Sequence, residues 1–232
     1  MKILKRKQIV VALDFNSFKE ANSIVKLLDP KIYRLKIGKQ LFTGEGPKII
    51  ENFNSQGFDI FLDLKLHDIP NTVYKALKNL LNHEVWMINI HLLGGEEMIQ
   101  AAKEARDSSN SEALLVGVSV LTSLNEKNIK NMGFNMQISE LVKTLCKSAK
   151  QNNIDGVVSS VIEVPEIKRN FGEDFITVTP GIRVEQKNND QSRVATLEDA
   201  IKNGSDYIIL GREMTASENI SKMIKKVESY II

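Results

Sequence analysis

The scarcities of this chain narrow its chemistry early. It has one cysteine, Cys146, so no internal disulfide can form. The helical spacing of Leu141, Val142, Leu145 and Ala149 around it points to a core or interface thiol, not a nucleophile, and to a reducing cytoplasm as compartment. Only three histidines are present. His67, in a turn, and His83, near a helix end, are expected to face solvent, and His91 to be a satisfied inner-rim side chain. A histidine metal site or a Ser-His-Asp triad is therefore not expected. No apolar run has the length of a membrane span. The charged opening Met-Lys-Ile-Leu-Lys-Arg-Lys leads into a strand that carries an aspartate, without the apolar stretch and cleavage site of a secretory signal. Charge of one sign is lacking too: 31 Lys+Arg against 29 Asp+Glu leave a net +2, with no basic tract for nucleic acid or a membrane surface. No Gly-x-Gly-x-x-Gly follows the first strand, so a dinucleotide-binding sheet has no support.

What is present is alternation. With 232 residues, 42% of them hydrophobic, and no linker or low-complexity stretch, residues 1–232 are expected to form one domain. β-rich runs fall at 9–14, 33–38, 59–66, 86–92, 113–121, 156–160, 176–182 and 207–212. Between them lie helical patterns such as Ala21, Ile24, Val25, Leu28 and Val73, Leu77, Leu80, Leu81. Eight strand-helix units in this length fit a (β/α)8 TIM barrel, of the α/β class; an open doubly wound sheet is the alternative.

The barrel reading carries an internal check, because barrel active sites lie where the strands end. Polar residues collect at those ends: Asp14; Lys36; Asp63 and Lys65; Asn89 and His91; Ser119 and Thr122; Ser159 and Ser160; Thr179-Pro-Gly-Ile-Arg183; Gly211-Arg212. In 59–66 a period of two puts Asp59, Phe61, Asp63 and Lys65 on one face and Ile60, Leu62, Leu64 and Leu66 on the other. If the apolar face packs on helices, Asp63 and Lys65 point into the barrel beside Asp68, giving a carboxylate, ammonium, carboxylate cluster. A lysine between two carboxylates stays charged, which suits proton donation better than Schiff-base formation. A buried ion pair that merely positions a loop is the plainer alternative. At the last two strand ends, Gly181 and Gly211 permit close backbone approach and Arg183 and Arg212 supply charge, as a dianion site requires. The polar loop 183–193 is long enough to close over a ligand.

These motifs resemble a known family. Asp63-Leu-Lys-Leu-His-Asp-Ile-Pro-Asn-Thr72, with Val11-Ala-Leu-Asp14, Leu35-Lys-Ile-Gly38, Val120-Leu-Thr-Ser123, Thr179-Pro-Gly-Ile-Arg183 and Gly211-Arg212 in the same order, is similar to the orotidine 5'-monophosphate decarboxylases in their shorter bacterial form. The resemblance implies decarboxylation of orotidine 5'-monophosphate to UMP in pyrimidine biosynthesis, with neither metal nor organic cofactor. It implies Lys65 as proton donor, with Lys36, Asp63 and Asp68 in a charged network. Asp68 would reach in from the second subunit of a homodimer, and no nucleic acid or membrane partner is implied. Asp14 would bind the ribose hydroxyls, helped by Thr72 across the dimer, and Thr122 would lie by the pyrimidine. Gln191, Arg212 and the Gly211 backbone would hold the phosphate, with Arg183 at the closing loop. His91-Leu-Leu-Gly-Gly95 and Glu84 depart from the family's small-residue forms.

Competing functions make different demands. A magnesium-dependent sugar-phosphate decarboxylase or aldolase of the related barrels needs a carboxylate at the end of strand two, where this chain has Lys36. A class I aldolase would need Lys65 or Lys36 as a neutral amine. A non-catalytic phosphate-binding barrel would be expected to lose members of the charged cluster, and all four are present.

Overall fold

The computed structural model describes residues 3–184 and 195–232. Ten strands occur among them: β1 Ile9–Leu13, β2 Tyr33–Gly38, β3 Ile60–Leu66, β4 Met87–His91, β5 Leu114–Val118, β6 Gly156–Val158, β7 Ile176–Thr179, β8 Ile182–Arg183, β9 Ala195–Thr196 and β10 Tyr207–Leu210. Eight of them close into a parallel barrel in the order β1-β10-β7-β6-β5-β4-β3-β2, while β8 and β9 pair separately. The fold is the expected (β/α)8 barrel, a single domain.

Alternation explains its two cores. In β1, Val10 and Ala12 point into the barrel with Phe61, Met87, Val116 and Val178. Ile9, Val11 and Leu13 point outward into the layer shared with the helices. In β3 the same rule sends Phe61 inward and Ile60, Leu62 and Leu64 outward, as the period of two requires. At the N-terminal end Arg34 stacks 3.9 Å above the Trp86 ring and pairs with Asp59 at 3.0 Å. That packing plugs the floor and leaves the opposite rim for chemistry.

The eight expected strands are the eight of the barrel; six of them are shorter at the C-terminal end than expected, while β2 and β3 end where expected. β7 stops at Thr179 because Pro180 has no N–H for the ladder and Gly181 turns into the left-handed region at φ +77. Ile182, expected to end it, pairs instead with Ala195, and Arg183 with Thr196. β5 ends at Val118 and β10 at Leu210, where Gly211 leads into a short helix, Arg212–Thr215. Cys146 is buried in the helix Ile138–Gln151, its thiol pushed up to about 12 by burial and by Glu163, as fits a core residue.

Candidate active site

The rim is organised by β2 and β3. Lys36 on β2 and Asp63 on β3 are both buried, and neighbouring strands bring them face to face. Lys36 Nζ lies 3.2 Å from Asp63 Oδ2 and 3.3 Å from Asp14 Oδ1, just past β1. Lys65 Nζ donates to Asp63 Oδ1 at 2.6 Å. The result is an unbroken alternation of carboxylate and ammonium, Asp14, Lys36, Asp63, Lys65, running from β1 to the end of β3.

Burial alone would raise the Asp63 carboxyl. The adjacent Lys36 and Lys65 ammoniums, with hydrogen bonds from Lys65 and Asn89, outweigh it and hold Asp63 below the usual carboxylate range. Its two oxygens take three donors, so this buried charge is compensated.

One expectation from spacing is corrected. Within its own chain Lys65 is not flanked by Asp68, which is exposed and accepts a 2.7 Å hydrogen bond from the adjacent Ile69 N–H. β3 has ended at Leu66, and Pro70 at the first turn of the helix Pro70–Leu80 holds the intervening turn extended, with Ile69 at φ −59 and ψ 151. Asp68 and Thr72 both face outward from this turn and helix start. The Lys65 ammonium thus has one carboxylate partner and is 31% exposed toward the mouth.

His91, at the end of β4, was expected to be satisfied; its buried Nδ1 instead has no hydrogen-bond partner among the described residues. Its ring stacks on His67 at 5.2 Å, so His67 is exposed but packed. Burial first, then the nearby His67, Lys65 and Lys39, push the His91 imidazole down to about 4. Thr122 is half-buried on the segment after β5, where Ser119 Oγ anchors the chain to the Val158 carbonyl at 2.9 Å.

Across the mouth, Arg183 is half-buried in β8 and Arg212 is exposed at the start of its helix. Arg212 also borders a cavity of about 680 Å³ of mixed charge, lined by Glu213, Glu218, Lys222 and Lys226, that includes none of Asp14, Lys36, Asp63 and Lys65. Gly211, at φ −102 and ψ −130, caps that helix, and a side chain added there would meet nothing nearer than the Ala12 Cβ at 4.0 Å. The space beside its Cα is therefore open, while its carbonyl accepts from the Met214 and Thr215 N–H groups. Gln191 lies outside the described residues.

Sequence reasoning placed Asn89 at the rim without a task. It is fully buried, donates through Nδ2 to Asp63 Oδ1 at 2.6 Å and accepts through Oδ1 from the Lys65 N–H at 2.7 Å. The available signal was its period-two position between Met87 and His91, facing the same interior as Asp63.

Comparison with known proteins agrees with the barrel fold. Residues 7–227 match the family model described as "Orotidine 5'-phosphate decarboxylase / HUMPS family". The chain is 46% identical to the orotidine 5'-phosphate decarboxylase of Saccharophagus degradans over 221 residues, covering 95% of this chain and 93% of that one. It is also 46% identical to that of Carboxydothermus hydrogenoformans over 217 residues, covering 91% and 90%. The crystal structure of the orotidine 5'-phosphate decarboxylase from Lactobacillus acidophilus superposes with a TM-score of 0.84 at 34% identity, over 97% of this chain and 98% of that one.

Proposed function

We infer the working of this site from one premise: the chain belongs to the orotidine 5'-phosphate decarboxylase / HUMPS family, and it is a carboxy-lyase that converts orotidine 5'-monophosphate to UMP and CO2 in pyrimidine biosynthesis. The observation that carries the reading of the residues is the alternating chain at the rim, which ends on the Lys65 ammonium. When the bond from the ring carbon to the carboxylate breaks, its electron pair stays on that carbon. No neighbouring group of the ring drains it well, so a fixed cation at that carbon lowers the barrier. Lys65 is that cation, and it then delivers a proton to the same carbon. Lys36 and Asp63 hold it in place.

Asp14, exposed enough to meet a ligand with 44% of its side chain accessible, binds the ribose hydroxyls. Thr122 lies beside the pyrimidine. Arg212, Arg183, Gln191 and the Gly211 backbone take the phosphate, whose binding far from the reacting carbon contributes to the transition state through closure of the site. Asp68 and Thr72 serve the second subunit of a homodimer, a role supported by their outward placement. No metal or organic cofactor takes part. A magnesium site would need a carboxylate where the ion-paired Lys36 stands. No helix among the described residues is long and apolar enough to cross a membrane, and with a lone buried thiol we place the enzyme in the cytoplasm, with no nucleic-acid partner.

The direct test is loss of orotidine-nucleotide absorbance with purified protein in EDTA. Stoichiometric UMP is expected, and a requirement for added divalent cation would overturn the cofactor-free reading.

A further inference from the structure

The register between β3 and β4 is broken at the chemistry. Leu62 stands opposite Ile88 and Leu66 opposite Ile90, so Asp63, Leu64 and Lys65 are all set against Asn89 alone. The extra residues are absorbed by a bulge, in which Lys65 takes a left-handed backbone at φ +49, a conformation unfavourable for a residue with a long side chain. Asn89 spans this bulge. Its Oδ1 accepts the Lys65 N–H that the β4 ladder no longer takes, at 2.7 Å, and its Nδ2 donates to Asp63 Oδ1 at 2.6 Å. The amide orientation follows from chemistry, because a backbone N–H only donates and an ionised carboxylate only accepts. Asn89 is fully buried, so it acts beneath the ligand surface.

We propose that Asn89 is a positioning residue for the decarboxylation: it pins the bulge that carries Lys65 and ties to it the carboxylate that aims the Lys65 ammonium. The inference rests on the reading of Lys65 as the proton donor. One amide fixes both ends of the lysine, its backbone directly and its ammonium through Asp63. Without it the Lys65 N–H is left without this acceptor, and Asp63 is steered only by the Lys36 and Lys65 ammoniums. A side chain that merely filled space would leave turnover intact when replaced by an apolar residue of similar volume.

Two variants separate these cases. Asn89→Leu keeps the volume and removes both hydrogen bonds. It is expected to lower kcat about a hundredfold, the scale of a small misplacement of a catalytic group, while UMP affinity by calorimetry stays within about threefold. Asn89→Asp keeps the shape and an acceptor for the Lys65 N–H, but sets a second carboxylate against Asp63. Both cannot stay ionised at that distance, so the acid limb of the kcat profile should move up by about one pH unit or more. Turnover of Asn89→Leu within about threefold of the parent, a fall in UMP affinity matching the fall in kcat, or an unmoved acid limb in Asn89→Asp would each overturn the proposal. Should Asn89→Leu fail to fold, Asn89→Asp decides alone. Lys65→Ala is run in parallel: if it turns over normally, the donor reading itself falls and this inference with it, whereas an inactive Lys65→Ala beside a normal Asn89→Leu removes Asn89 alone.

Discussion

Lys65 is distinguished from the other lysines of the chain by what surrounds it. Its ammonium is held at 2.6 Å by a carboxylate that is itself held by Lys36 and Asn89, yet 31% of the side chain remains accessible from the mouth. A group so fixed is worth most where charge develops during the reaction and little in simple binding. Lys65→Ala is therefore expected to lower kcat by about a thousandfold or more, with UMP affinity nearly unchanged; turnover within about tenfold of the parent would remove Lys65 as donor. Arg212 belongs to the opposite case. It has no ion-pair partner among the described residues and is exposed at the start of its helix, so its charge is available to a phosphate. Arg212→Ala should raise KM for the nucleotide by roughly ten- to a hundredfold, as loss of a charged hydrogen bond does. Orotidine, which lacks the phosphate, should be turned over equally by parent and variant. Equal losses on both substrates would take Arg212 out of the phosphate site.

At the scale of elements, the strand ends decide how much of the site was legible. Period-two alternation in 59–66 correctly separated Phe61 and Asp63 from Ile60 and Leu62, because each strand is buried on both sides and every register error would bury the wrong face. Alternation cannot report a bulge: the left-handed backbone at Lys65 and its bond to Asn89 arise from pairing with β4, a long-range event. Nor can it find β8 and β9, two residues each, too short to show a period. The stacked His67 and His91 are also a product of tertiary structure, joining the turn after β3 to the end of β4, and this pairing has a consequence for stability. His91 is pushed down to about 4 in the fold, against an ordinary value of about 6.5 in the unfolded chain. Above the unfolded value neither state holds the proton; below it the unfolded chain takes one up first, so stability falls as the pH drops from about 6.5 to about 4. Asp63, held low in the fold, sheds its contribution only below the usual carboxylate range. Urea midpoints measured across pH 7 to 4.5 should decline in the parent and decline less in His91→Phe, which keeps the stack and removes the titration. Parallel slopes in the two proteins would show that His91 does not set this dependence.

For the whole molecule, the proposed role of Asp68 as a second carboxylate at Lys65 requires another subunit. The single chain supplies only Asp63, while Asp68 and Thr72 point outward beside Ile69, an apolar side chain left 66% exposed. An exposed isoleucine between two polar groups of a functional motif is the composition of a contact surface. In a two-fold dimer each subunit would lend Asp68 and Thr72 to the other, and each site would be composite. Mixed assembly tests this. Suppose Lys65→Ala and Asp68→Ala proteins, each inactive alone, are unfolded together in equal amounts and refolded. In every mixed dimer one site combines both lesions, and the other combines the intact Lys65 of one chain with the intact Asp68 of its partner. Half the dimers are mixed under random assortment, so about one site in four should be restored. If Asp68 served its own chain, each site would carry one lesion or the other, and no intact site could form at any mixing ratio. Verified mixed dimers with no activity above the separate variants would therefore refute the shared site. Recovery near a quarter of the parent activity would place Asp68 across the two-fold axis from the lysine it serves.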